Sequence, residues 1–229
     1  MFRMNNGARI YIQTSRRTLL AVAVAAGLVL TLGACGGVPG IYTYENQHQG
    51  AKAAAGFDAK SYVDTIWKSK VLPAVDKNAV EAATLLDAIA ANPDEAAKKY
   101  GKVSGTGAAP AFLIKGQGTV TAVDTSAPTG PVTVALTGDP GKMVTLVTGP
   151  VIAGTAIRDA VGFITFGQFT NQIDYADVAT QLNDRVRSDV VAKLDKASLT
   201  GKTLTFEGAF SLLSPTVISI VPTTAQVAQ

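Results

Sequence analysis

The sequence predicts an α+β fold in a single domain at residues 57–229, and three observations carry this prediction. After residue 57 the apolar residues recur at intervals of three and four positions, which is the period of amphipathic helices. From about residue 110 they alternate with polar residues, which is typical of strands. One further helical stretch separates a first group of three strands from a second group of two.

The N-terminal segment predicts export. Residues 1–17 contain four arginines and no acidic residue, and Thr18–Leu32 is an apolar run. These are the charged and apolar regions of a secretory signal peptide, and the run is shorter than the ~20 residues that a membrane-spanning helix needs. An uncleaved membrane anchor is the alternative. The paired Arg16 and Arg17 also fit a twin-arginine signal, so the sequence leaves the export route open.

Cys35 follows the small residues Gly33 and Ala34 where the apolar run ends, and this pattern resembles a bacterial lipobox. In a lipobox the thiol receives a diacylglyceryl group, and the signal is cut directly before the cysteine. We therefore predict a lipoprotein signal peptide at residues 1–34 and attachment to a membrane of the cell envelope, outside the cytoplasm, through lipid on Cys35. Two or three acyl chains give stable attachment, because each buried methylene contributes ~0.8 kcal/mol. Residues 35–56 are predicted to be the lipidated tether.

Charge and composition exclude several function classes. The formal net charge is +3, but removal of the signal takes away four arginines and leaves the mature chain at −1. Such a chain has no electrostatic basis for binding nucleic acid. His48, the only histidine, lies in the tether, and Cys35 is used by the anchor, which excludes Ser-His-Asp and Cys-His catalysis and a zinc site. We therefore predict a protein that is not an enzyme and holds no metal or other cofactor.

Three helical segments are predicted before the strands. The first begins at Asp58, whose side chain suits an N-cap, and it is broken at Pro73. The second covers about residues 78–91, and the third runs over Pro93–Tyr100 and is closed by Gly101. Each segment has an apolar face, so we expect all three to pack on the rest of the domain.

The first strand group contains a long strand and a hairpin. The long strand covers residues 112–124, and Gly116 and Gly118 within it indicate a bulge or a sharp bend. They do not indicate a phosphate loop, because no third glycine, lysine or helix follows them. Residues 132–146 alternate in polarity on both sides of a turn at Gly138–Gly141, which predicts the hairpin.

A long helix and two more strands complete the domain. Apolar residues at a spacing of four predict a helix over Asp174–Asp195, and residues 204–212 and 217–221 alternate as strands. This order of elements is that of an OB-type barrel. We therefore predict N-terminal helices at 57–101 packed on an OB-like β-barrel at 110–224, with the long helix between strands three and four. A generic α+β sandwich is the alternative fold.

The stretch Gly149–Ala176 mixes polar and apolar residues in an unusual way. Polar groups in an apolar setting must be hydrogen-bonded or must serve a ligand, so this stretch contains the candidate functional site. The candidate residues are Thr155, Arg158, Asp159, Thr170, Asn171, Gln172 and Asp174.

The same stretch resembles the DUF2291 family of predicted bacterial lipoproteins. The residues that carry the resemblance are Gly149-Pro150, Gly154–Ala160, Phe166 and Phe169–Ala176, together with Leu72-Pro73-Ala74 and Gly208-Ala209-Phe210. The resemblance covers most of the mature chain. It implies a periplasmic or cell-surface lipoprotein of a family whose members often lie beside genes for sugar-type ABC importers, and it supplies no catalytic residues.

Two interpretations of the candidate residues remain open. In the first they form an internal network, in which Arg158 donates to Asp159 or Asp174 while Thr170 or Asn171 caps the long helix. The protein is then an anchored accessory protein that serves a sugar transporter through protein contacts.

In the second interpretation the candidate residues line a pocket, and the protein is a module that binds a sugar or sugar acid. Arg158 would bind an anion or sugar hydroxyls. Asn171, Gln172 and Asp174 would donate hydrogen bonds to a polyol and accept them from it. Phe163, Phe166 or Phe169 would form the apolar floor of the pocket. Acid–base chemistry on a glycoside by Asp159 and Asp174 is a weaker third hypothesis.

Overall fold

The first part of the domain is helical, as predicted. The structure is a computed structural model that describes residues 56–228, so the predicted signal peptide, Cys35 and the tether up to residue 55 lie outside the described residues. Helix α1 spans Ala59–Ile66 and continues through a π-helical turn, Trp67–Val71, into α2 at Leu72–Asn78. Helices α3 (Ala82–Ala91) and α4 (Pro93–Tyr100) follow.

The N-cap prediction at Asp58 is confirmed, because its carboxylate accepts hydrogen bonds from the backbone N–H groups of Lys60 and Ser61. The predicted break at Pro73 is wrong. Pro73 lies in the first turn of α2, where a missing N–H costs little, and the preceding π-helical turn joins the two helices. The second predicted helix begins late because Val80–Glu81 pair with a neighbouring strand.

Seven strands of the described chain form one sheet. Two are short: β1 (Val80–Glu81) and β2 (Gly101–Lys102). The five longer strands are β3 (Ala111–Val123), β4 (Pro131–Leu136), β5 (Asp139–Val147), β6 (Thr203–Ser211) and β7 (Ser219–Val227). The predicted hairpin is confirmed as β4 and β5, although its turn is tighter than expected because β5 already begins at Asp139.

The pairings of the five longer strands lead from β3 back to β3. Strand β3 pairs antiparallel with β4, and β4 pairs antiparallel with β5. Strand β5 pairs parallel with β7 through Thr145–Ser219 and Leu146–Ile220. Strand β7 pairs antiparallel with β6, and β6 pairs antiparallel with β3. Each of these five strands therefore has two neighbours among the other four.

Gly118 lies where β3 passes between its two partners, because it is opposite Leu136 of β4 and also opposite Leu204 of β6. A Cβ atom there would be 2.1 Å from the Ala135 carbonyl oxygen, so glycine is required by close backbone approach. The irregularity of β3 against β4 falls between Val120 and Ala122 and not at the glycines, which corrects its predicted position.

Helices cover both sides of the strands. Helices α3 and α4 pack on the face that carries Phe112, whose ring stacks on Phe210 with centroids 5.2 Å apart. The opposite face carries Leu113 and Val221, and it is covered by α1, α2 and two later helices. These are α5 (Ala156–Ala160) and α6 (Gln172–Asp189), which lie between β5 and β6 in the chain.

Two predicted ends are corrected. Helix α6 ends at Asp189 and not at Asp195, because a tighter 3-10 turn follows and buries the adjacent residues Val190 and Val191 together. The last strand begins at Ser219 and extends to Val227, where the prediction was 217–221. Its alternation is interrupted at Pro222, beside a register shift against β6, and this hid its second half in the sequence.

Candidate functional site

The loop after β5 brings the candidate residues against the sheet. The Gly149 N–H donates to the Thr129 carbonyl at 2.7 Å, and Val151 donates to the Pro128 carbonyl at 3.0 Å. A Cβ on Gly149 would lie 2.3 Å from the Pro128 oxygen, so glycine allows this approach. The chain then enters α5, all of whose residues are buried. Two of them are the charged residues Arg158 and Asp159.

Arg158 and Asp159 form a buried ion pair, with 7% and 8% of their surfaces exposed. The Arg158 Nε and Nη2 atoms lie 2.9 and 2.8 Å from Asp159 Oδ1. The Thr155 hydroxyl donates to Asp159 Oδ2 at 2.5 Å. A buried pair is stabilising only when its remaining donors and acceptors are satisfied, and here both carboxylate oxygens have partners.

Tyr175, in the first turn of α6, completes this group. Arg158 Nη1 donates to the Tyr175 carbonyl at 3.1 Å, and the guanidinium carbon lies 3.6 Å from the centre of the Tyr175 ring. The Tyr175 hydroxyl lies 3.4 Å from Asp159 Oδ1, and burial raises the pKa of this phenol. We call Thr155, Arg158, Asp159 and Tyr175 the clamp, because they join α5 to α6.

A second contact between these elements comes from Asn183 of α6, which is 5% exposed. Its side-chain amide donates to the Gly154 carbonyl at 3.0 Å. Gly154 has a φ of 90°, which turns the chain into α5 and is favourable for glycine. Neither Tyr175 nor Asn183 was among the candidate residues. The signal for Asn183 was a polar side chain on the apolar side of a predicted helix.

The remaining four candidate residues are separate from the clamp and lie at the start of α6, where Asn171 forms the cap. The Asn171 carboxamide oxygen accepts from the Asp174 N–H at 2.9 Å, and its amide donates to the Asp174 carboxylate at 3.0 Å. Asn171 is therefore the N-cap of α6. The Asp174 carboxylate is hydrogen-bonded to Asn171 and is not the partner of Arg158, which pairs with Asp159. Thr170 and Gln172 are exposed. The structure thus brings together three of the seven candidate residues.

The phenylalanines of the motif pack elsewhere. Phe169 contacts Phe57, Tyr62 and Tyr175 with ring centroids 5.3 to 5.6 Å apart, and Phe166 contacts Tyr175 at 5.8 Å. This aromatic cluster joins the start of α1 to the start of α6. Phe166 and Phe169 do not form the expected aromatic floor of a pocket, whereas Phe163 lines a separate cavity of about 460 Å³ together with Tyr100 and Lys102.

A cavity of about 800 Å³ lies beside the clamp. Thr155, Arg158 and Asp159 form part of its wall. Its lining also includes Thr145 and Val147 of β5, and Ser219 and Val221 of β7. Side chains two residues apart point to the same face of a strand, so these pairs present one surface to the cavity. Its volume is within the range of small-molecule sites.

A second cavity, of about 710 Å³, lies at another place, beside the π-helical turn and the end of α6. Its lining includes Trp67, Lys193 and Lys202 and none of the candidate residues. Among residues 56–228, no group of three or more His, Cys, Asp or Glu side chains could hold a metal ion. None of the helices in this part of the chain is long and apolar enough to cross a membrane.

Comparisons with known proteins bear on both the family and the fold. Residues 25–226, most of the chain, match the family model described as "Predicted periplasmic lipoprotein (DUF2291)". A crystal structure of an OB-fold protein from Thermotoga maritima MSB8 superposes with a TM-score of 0.63 and 24% sequence identity. The alignment covers 76% of this chain and 99% of that chain, and at this identity the likeness shows the fold alone. No curated protein matches the sequence.

Proposed function

Since the chain belongs to the DUF2291 family of predicted periplasmic lipoproteins, we propose that it is a lipid-anchored envelope protein whose domain binds a small solute. The family assigns the protein to the periplasm, which agrees with the signal and lipobox pattern that end at Cys35. Lipid on Cys35 is the proposed attachment. The proposed role is binding and not catalysis.

The observation that carries this proposal is the cavity beside the clamp. It combines a volume of about 800 Å³ with a wall that contains three residues of the motif, Thr155, Arg158 and Asp159. The clamp fixes this wall, because Arg158 and Asp159 are hydrogen-bonded to each other and both are hydrogen-bonded to Tyr175 of α6. A concave site with a few fixed polar groups among apolar side chains is the usual form of a small-ligand site.

A thermal-shift screen of the full-length lipoprotein in detergent micelles, against sugars and sugar acids, tests the proposal. A ligand that binds only the folded state raises the melting temperature in proportion to the logarithm of its concentration. The control is Ala153→Trp, which puts a large ring into the cavity from an exposed position. We expect a ligand-dependent shift in the wild type that Ala153→Trp abolishes. An equal shift in both proteins would contradict a site in this cavity.

An accessory role beside a sugar-type ABC importer is the second candidate. Exposed apolar side chains at the cavity support it, because Val151, Leu213 and Val217 are 47%, 86% and 62% exposed and all line it. Exposed apolar groups of this kind are typical of protein contacts. Recovery of an importer permease or binding protein with the lipoprotein from its own membrane would support this role. Loss of that recovery in Leu213→Ser would assign the contact to this surface.

We also propose that the five longer strands form a closed OB-type barrel, with α6 between its third and fourth strands. The circuit of pairings from β3 back to β3 supports this, as does the order of the elements. In such a barrel the cavity lies outside the strands, between their surface and the loop that leads into α5. The Thr145 N–H donates to the Ile218 carbonyl at 3.2 Å across the parallel pair. Hydrogen-exchange protection of the Thr145 amide equal to that of the β6 amides would support closure at this pair, and rapid exchange would contradict it.

A further inference from the structure

We propose that the cavity beside the clamp selects an uncharged solute that carries hydroxyl groups, and that it rejects the corresponding acids and amines. This inference rests on the proposed solute-binding function and names its ligand class. It differs from the expectation that Arg158 binds an anion.

The charges of the cavity wall support this selection because they are already neutralised. Among the described residues, the wall contains two charged side chains, Arg158 and Asp159, and they form an ion pair with each other. Arg158 donates through Nε and Nη2 to Asp159 and through Nη1 to the Tyr175 carbonyl, while the Tyr175 ring covers one face of its guanidinium. Asp159 already compensates the charge of this guanidinium, so an anionic ligand would bring an uncompensated negative charge to the wall, which is unfavourable.

The other polar groups of the wall are hydroxyls, which can both donate and accept hydrogen bonds. Thr145 of β5 and Ser219 of β7 are opposite each other in the parallel pair, and both line the cavity. Val147 and Val221 lie two residues further along the same strands and provide an apolar surface beside these hydroxyls. The surface therefore fits a neutral molecule with hydroxyl groups on one side and C–H groups on the other.

Aromatic rings often stack on sugars, but among residues 56–228 none lines this wall. The wall consists of aliphatic, small and hydroxyl side chains and one ion pair. Selection must then come from hydrogen bonds and charge. A buried carboxylate or ammonium group without a partner is costly, whereas a hydroxyl loses little when Thr145 or Ser219 replaces water.

Calorimetric titration of the full-length lipoprotein with three molecules that share one ring tests the inference. Glucose is neutral, glucuronate is an anion and glucosamine is a cation, and galactose with galacturonate gives a second matched pair. We expect each neutral sugar to bind at least about tenfold more tightly than its charged partner. Thr145→Val should weaken sugar binding about three- to tenfold by removing one hydroxyl. The matched control is Thr205→Val, an exposed threonine of β6 outside the cavity.

A variant that adds a charge to the cavity distinguishes failure of this inference from failure of the proposed function. Ser219→Lys places an unpaired cation at the cavity, so we expect it to favour glucuronate over glucose. Binding of glucuronate by the wild type as tightly as glucose would overturn the selection for uncharged solutes, while the proposed function would stand. If no sugar or charged sugar derivative of the panel binds to the wild type or to Ser219→Lys, the proposed function itself is overturned. Equal affinities of Thr145→Val and Thr205→Val for glucose would show that the hydroxyls of Thr145 and Ser219 are not part of the binding surface.

Discussion

Truncation of Arg158 is the most informative perturbation of the clamp. In Arg158→Ala, Asp159, which is 8% exposed in the wild type, loses its only guanidinium partner among the described residues. It keeps hydrogen bonds from the hydroxyls of Thr155 and Tyr175, which do not neutralise its charge. Breaking a buried ion pair in this way costs about 3–5 kcal/mol. For a domain of this size we expect the melting temperature to fall by roughly 6–20 °C.

Urea unfolding measures this cost directly. Trp67 is the only tryptophan, is 1% exposed and lies in the same apolar cluster as α5 and α6, so its fluorescence reports loss of their packing. The matched control is Arg187→Ala, which removes a partly exposed ion pair with Asp184. Such pairs contribute less than about 1 kcal/mol.

A double variant tests the physical reason for the loss. Arg158→Met combined with Asp159→Leu removes both charges, and it should be less destabilising than Arg158→Ala because no unpaired charge stays buried. Equal costs for Arg158→Ala and the partly exposed Arg187→Ala would refute the clamp as a stabilising element. A double variant that is less stable than the single one would refute the role assigned to the unpaired carboxylate.

Three further predictions concern other parts of the domain. Asn171→Ala should destabilise it by about 1 kcal/mol in thermal unfolding by removing the N-cap of α6, whereas the neighbouring Gln172→Ala should change stability by less than about 0.5 kcal/mol. Burial raises the pKa of Glu207, so its ionisation opposes folding. Glu207→Gln should therefore stabilise the domain at neutral pH, and urea titrations should show the difference disappear below about pH 4; an unchanged difference there would contradict this assignment. Gly118→Ala should cost more than about 2 kcal/mol, because its Cβ meets a carbonyl of β4, while Gly105→Ala has open space and should be neutral.

The features that the sequence predicted correctly depend on short-range physics. The cap at Asp58 follows from a carboxylate placed before a helix, and the hairpin follows from alternation around Gly138. The prediction of an α+β, OB-like fold agrees with the mixed helices and strands of the structure and with its OB-fold neighbour. The pairing of Arg158 with Asp159 was also one of the interpretations, because a guanidinium has five donors and a nearby carboxylate can accept two of them.

The features that the sequence did not predict depend on contacts between distant residues. Strand β1 exists because Val80 meets Ile114 in β3, which no local pattern indicates. The contact of Arg158 with Tyr175 depends on how α6 lies across α5. The cavity depends in the same way on the loop at residues 149–155, which lies against strands that are far apart in the chain.

The location of the bound solute tests the central claim most directly. The measurement is a titration of the isotope-labelled protein with the tightest-binding neutral sugar, followed by the shifts of its backbone amide NMR signals. We predict that the largest shifts cluster at Thr145, Val147, Ser219 and Val221 and at the start of α5. Shifts centred on Lys193 and the second cavity, or no saturable shifts at all, would contradict the claim that the cavity beside the clamp is the binding site.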